Sequence, residues 1–191
     1  MRKEIILILF FISICGLIFA QKKESSYKFH SINTVGLVNG SNAVSASLQS
    51  VNGFKKDSWF AGIGVGLDYY LYRTVPVFAD LRYEFGKKKN KYFVYADAGL
   101  NINWVKDNFI DPPSIWNRFS STDFKNGFYN DIGMGYSIRM KKENAVVLSI
   151  GYSHKNLKET QSYQDWRTPE FLTRQNSYNL RRIMIKAGWQ F

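Results

Sequence analysis

The chain has 191 residues, a formal charge of +11 and 17% aromatic side chains, with fourteen glycines, four prolines and a single cysteine. So basic a chain invites a nucleic-acid partner, yet no basic helix or recognised nucleic-acid motif accompanies the charge, and export argues against that role. After the first twenty residues nothing approaches the ~20 consecutive apolar residues of a membrane helix, so a chain that enters a membrane here does so with strands.

Arg2 and Lys3 precede an apolar run over 5–19, and Ala20 stands before Gln21. This is the layout of a secretory signal over 1–20, with cleavage expected after Ala20 and residues 21–191 forming one domain. Cys15 falls inside the signal, and Ile14 before it is not the small residue a lipoprotein signal needs. The mature chain is therefore expected to have no thiol chemistry and no disulfide.

Alternation with period two gives eight candidate strands, at 27–38, 43–51, 58–72, 75–86, 91–104, 128–140, 145–156 and 177–191. The first two are the weakest, because Ser31, Asn33, Ser45 and Ser47 blur the apolar face and leave the register open to a one-residue slip. The connections at 52–57, 86–90 and 140–144 are short and carry Lys55, Lys56, Lys87, Lys88, Lys89, Lys141 and Lys142. Those at 105–127 and 157–176 are long and rich in Asp, Ser, Asn, Pro and Arg. In an up-and-down barrel this sorts short turns with the termini and long loops at the opposite end, the asymmetry of bacterial membrane barrels. A soluble sandwich has no reason to sort its connections by parity.

The predicted fold class is thus all-β, an eight-stranded antiparallel transmembrane barrel with short periplasmic turns and two long extracellular loops. Its inward face carries Asp68, Asp80, Arg82, Glu84, Asp97, Asp131 and Arg139, and shares its parity with Gly62, Gly64, Gly66, Gly99, Gly133, Gly135, Gly151 and Gly188. Glycine weakens a strand unless something approaches it closely, so this placement predicts a crowded interior. Arg82 and Arg139 are expected to pair with Asp68, Asp80, Glu84, Asp97 or Asp131 across the lumen, since an unpaired buried charge costs several kcal/mol. A filled lumen leaves these carboxylates no substrate for acid and base chemistry.

Outward, Trp59 and Tyr69 are ten residues apart, roughly 24 Å along the membrane normal for a strand tilted by about 45°, which matches the apolar band of a membrane barrel. With Trp104, Trp189 and Phe191 they are the candidate interface aromatics. The final segment sets Ile183, Ile185, Ala187, Trp189 and Phe191 on one face and Arg182, Met184, Lys186, Gly188 and Gln190 on the other.

These features resemble the small outer-membrane β-barrel superfamily of the OmpA transmembrane domain and OmpX. The residues that carry the resemblance are Phe19-Ala20-Gln21, Ala61-Gly62-Ile63-Gly64-Val65-Gly66-Leu67, Asp80-Leu81-Arg82-Tyr83-Glu84-Phe85-Gly86 and Trp189-Gln190-Phe191. The resemblance implies insertion into the outer membrane of a Gram-negative bacterium by the assembly machinery, which reads the terminal strand. Where that signal usually carries glycine, this chain has Lys186.

Enzymatic readings have little support in the sequence. His30 and His154 do not form a metal-binding spacing, so no metal and no cofactor is expected. Barrels that remove acyl chains from lipid A look similar and use a His-x-Ser motif on the lipid-exposed wall. His154 has the parity and height for it, but Asn156 stands where the serine belongs. The long loops offer Trp116, Arg118, Trp166, Arg167 and Arg174, residue types that anchor interfaces and, for arginine, bind lipopolysaccharide phosphates. The leading expectation is a monomeric, non-enzymatic barrel serving envelope structure or surface binding, with outer-membrane lipids as partners. A lipid A deacylase, a small-solute porin and a soluble lipocalin-like carrier follow in that order.

Overall fold

A computed structural model describes residues 27–39, 44–69, 73–86, 89–104, 109–110, 117–140, 144–165 and 170–191. Among the described residues ten strands form one antiparallel sheet: β1 (Lys28–Asn39), β2 (Val44–Lys56), β3 (Trp59–Asp68), β4 (Thr74–Phe85), β5 (Lys91–Asn103), β6 (Phe109–Ile110), β7 (Asn117–Lys125), β8 (Gly127–Arg139), β9 (Ala145–Asp165) and β10 (Phe171–Gln190). Eight of them close into a barrel in the order β1-β2-β3-β4-β5-β8-β9-β10, with β10 returning to β1. Reciprocal backbone bonds between Ser31 and Phe191, at 2.8 and 3.0 Å, extend this seam to its end. Closure leaves the barrel no unpaired edge.

Two sequence expectations change. The turn expected over 52–57 shrinks to Asp57 and Ser58, because β2 continues to Lys56 opposite Trp59. Asp57 absorbs the reversal at φ 54°, a left-handed conformation that aspartate tolerates better than most residues. Lys55 therefore belongs to the wall and points inward. The described residues of the two long loops are also largely strand. The β9–β10 ladder runs from Ala145↔Gln190 out to Gln164↔Phe171, and β7 pairs with the other edge of β9 while β6 pairs with β7. β7 and β8 follow β9 almost as one strand, broken at Asn126 by a one-residue change of register. The result is a sheet of β6, β7, β9 and β10 standing beyond the rim opposite the termini.

The wall is inside out relative to a soluble protein. Ile63 is 71% exposed and Met134 62%, whereas Asp97 is 1% exposed and Asp131 fully buried. Ile132, Ile150, Leu100, Ile183 and Ile185 continue the outward apolar surface. A contiguous exposed surface of this kind is foreign to a monomer in water and is what burial in hydrocarbon requires.

Candidate functional site

Inward parity alone would give the lumen charges and glycines, and the space between them is filled by rings. Phe60, Phe78, Phe93, Tyr95 and Tyr129 form one buried cluster with Ile32, Val51 and Val147. The glycines make room for it. A methyl group at Gly64 would overlap the Phe78 ring, one at Gly135 the Phe93 ring, and one at Gly151 the Tyr95 hydroxyl. Large and small residues thus interlock across neighbouring strands.

Arg82 crosses this layer. Its Nε donates to both carboxylate oxygens of Asp80 at 2.9 Å and its Nη2 to Oδ2 at 2.7 Å. The guanidinium lies 5.5 to 5.9 Å from the ring centres of Phe93, Tyr95 and Phe60, within cation–π range. Asp80, Asp97 and Asp131 are direct cross-strand neighbours on β4, β5 and β8. Their second cation is Lys186 of β10, which donates to Asp131 Oδ2 at 2.8 Å and to Gln49 Oε1 at 3.2 Å, and stands 3.8 Å from Asp97. Tyr95 donates its hydroxyl to Asp131 at 3.2 Å, and Gln49 donates to the Tyr129 hydroxyl at 2.9 Å. Neither oxygen of Asp97 accepts a hydrogen bond among the described residues.

Toward the far rim, Lys155 pairs with Asp68. At the end that carries the termini, Glu84 pairs with Lys55 and lies 3.7 Å from Lys91. Lysines are thus the main partners of the predicted carboxylates. Lys186 and Lys155 share the parity of the inward residues, a signal that was readable, while Lys55 was concealed by the expected turn. Arg139 differs from expectation. It is exposed at the terminal mouth, its backbone N–H donates to Asn90 Oδ1 at 3.1 Å, and among the described residues its guanidinium joins no ion pair.

The aromatics fall on two rims. Trp59, Tyr83, Phe85, Tyr92 and Tyr136 form a ladder around the terminal end, with successive ring centres 4.8 to 6.4 Å apart, and Trp189 and Phe191 lie exposed at the same end. At the far end Arg73 lies 5.7 Å from the Tyr69 ring and 5.4 Å from that of Trp104. Of the loop candidates, Arg174 is exposed on β10 opposite Gln161, and Arg118 sits at the register break in β7. Trp116, Trp166 and Arg167 lie outside the described residues. His154 is half-buried with outward parity, and its cross-strand neighbours are Asn130 and Arg181. Among the described residues no group of His, Cys, Asp and Glu is arranged to hold a metal ion.

The structure is similar to the N-terminal β-barrel domain of Pseudomonas aeruginosa OprF, with 10% identity, 87% of this chain and 98% of that chain covered, and a TM-score of 0.50. It is similar to Neisserial surface protein A (NspA), with 15% identity, 87% and 96% covered, and a TM-score of 0.51. The outer membrane protein AlkL, solved in DMPC lipid bilayers, gives 9% identity, 91% and 94% covered, and a TM-score of 0.44. No protein-family model matches the chain, and no curated protein matches it in sequence. At these identities the likeness to OprF and NspA is one of fold: the chain has the architecture of the small eight-stranded outer-membrane barrels.

Proposed function

We propose that this is a non-enzymatic integral protein of the outer membrane, exported with a signal over 1–20, whose barrel is a closed anchor for the sheet and loops at its far end. The observation that carries this reading is the reversed wall, apolar outside and charged inside, combined with a lumen closed by Arg82, Phe93, Tyr95 and Lys186. Envelope structure or surface binding suits such an anchor better than transport. Among the described residues the cross-strand neighbours of His154 are Asn130 and Arg181, and Asn156 holds the place of the serine, so lipid A deacylation ranks below this reading. The proposed partners are outer-membrane lipids, including lipopolysaccharide phosphates at Arg174 and the loop arginines, and the assembly machinery through β10. No nucleic-acid partner is proposed, and a monomer is proposed because the barrel wall closes on itself through β1 and β10.

Cysteine labelling on intact cells tests the placement. A membrane-impermeant maleimide is expected to label Arg174→Cys on intact cells and Lys89→Cys only after permeabilisation. Equal labelling of both, or recovery of the folded protein in buffer without detergent, would overturn the membrane reading. Planar bilayers seeded with the purified barrel are expected to show no sustained open-channel conductance. A steady conductance would promote the porin reading.

A further inference from the structure

Around the terminal mouth the inward residues of nearly every barrel strand enclose a cavity of about 470 Å³, the size range of small-ligand sites. Its lining is unbalanced. Lys28, Lys55, Lys91 and Arg139 face Asp57 and Glu84, and Glu84 is already engaged by Lys55 and Lys91. The guanidinium of Arg139, from β8, is left without a carboxylate among the described residues. Below the cavity the next inward positions are Ile32 on β1, Arg82 on β4, Phe93 on β5 and Val147 on β9, all buried. They close it as a blind vestibule with a low-dielectric floor, which focuses the positive field at the opening.

The geometry points to a binding site for a phosphate-type anion in this vestibule, drawn from the compartment that the terminal end faces. The donors are the reason for a phosphate rather than a carboxylate. They come from separate strands around a ring, with Lys28 on β1, Lys91 on β5 and Arg139 on β8, and Ser137 and the buried Gln190 lie between them. A planar carboxylate uses one such approach, whereas a tetrahedral anion offers acceptors to several sides and suits the bidentate fork of arginine. The volume exceeds that of one phosphate, so the group is the head of a larger species, either a soluble diphosphate or phosphorylated solute or a phospholipid. The ladder from Trp59 to Tyr136 surrounds the same mouth, and aromatic girdles of this kind sit at the interface of a membrane barrel.

The test uses the full folded chain in zwitterionic phosphatidylcholine nanodiscs, titrated calorimetrically with pyrophosphate, and in parallel nanodiscs doped with phosphatidylglycerol, with retained lipid read by native mass spectrometry. A soluble source gives saturable pyrophosphate binding at one site. A lipid source gives selective retention of phosphatidylglycerol instead. In either case Arg139→Gln and Lys91→Gln are expected to weaken binding at least about tenfold, with Lys158→Gln, exposed on β9 beyond the opposite rim, neutral. Arg139 is exposed and joins no ion pair among the described residues, so its substitution is expected to leave the fold intact. Non-saturable uptake of both probes, or equal weakening by Lys158→Gln, would overturn the site.

Discussion

The barrel lumen and the sheet beyond the far rim are made from the same strands, yet they obey different rules. Along β10, burial alternates strictly from Met184 to Gln190, while 171–175 are exposed throughout. The backbone ladder to β9 is continuous across both stretches. Hydrogen bonding holds the strand in each place, but only a wall with two unlike sides imposes a choice of residue on each position. Charge behaves accordingly: in the lumen every carboxylate must find a cation or a donor, and beyond the rim water serves that purpose.

Breaking the lumen should have the largest effect. Lys186→Met leaves Asp131 buried without its cation and is expected to cost about 3–5 kcal/mol, read by urea unfolding in micelles, with most of the loss recovered in Lys186→Met/Asp131→Asn. A loss below about 1 kcal/mol would mean that the lumen is hydrated like the sheet. Gly64→Val intrudes on the Phe78 ring and is expected to cost about 1–3 kcal/mol, partly rescued by Phe78→Leu. Asp97→Asn sharpens the contrast within the lumen. Among the described residues its oxygens accept no hydrogen bond, Lys186 is 3.8 Å away and closer to Asp131, and it sits between two other carboxylates, so the same assay should show a change below about 1 kcal/mol or a gain. In the sheet, Gln175→Ala should fall within about 0.5 kcal/mol of the parent, as surface substitutions do.

The same contrast explains what could be read from the sequence. Asp80-Leu81-Arg82-Tyr83-Glu84-Phe85 declares its faces residue by residue because one side meets the lumen and the other does not. Alternation predicts strand ends at 156 and 177, where the lumen stops, while the ladder runs on to Gln164 opposite Phe171. Composition cannot register a strand with solvent on both sides. Lys55 was hidden for a related reason: Ser50 and Asn52 interrupt the outward face of β2 just before it, so the pattern ends although the pairing with β3 does not. Which cation meets which acid was beyond the sequence, because Lys186 and Asp131 are 55 residues apart and meet only inside the closed lumen. Lys186 also accounts for the missing glycine of the terminal strand: its position is where the lumen needs a cation.

The seam between β1 and β10 has a kinetic consequence. Its register, from Ile32↔Gln190 to Asn39↔Ile183, joins segments near opposite ends of the sequence. Every other wall pairing joins barrel strands that follow one another along the chain, so this one contact carries the largest loop-closure entropy. Until it forms, β1 and β10 are both open edges and the lumen charges have no sealed chamber. Closure should therefore be the slow, cooperative event of folding, and a chain arrested before β10 would present two adhesive strands rather than a smaller barrel.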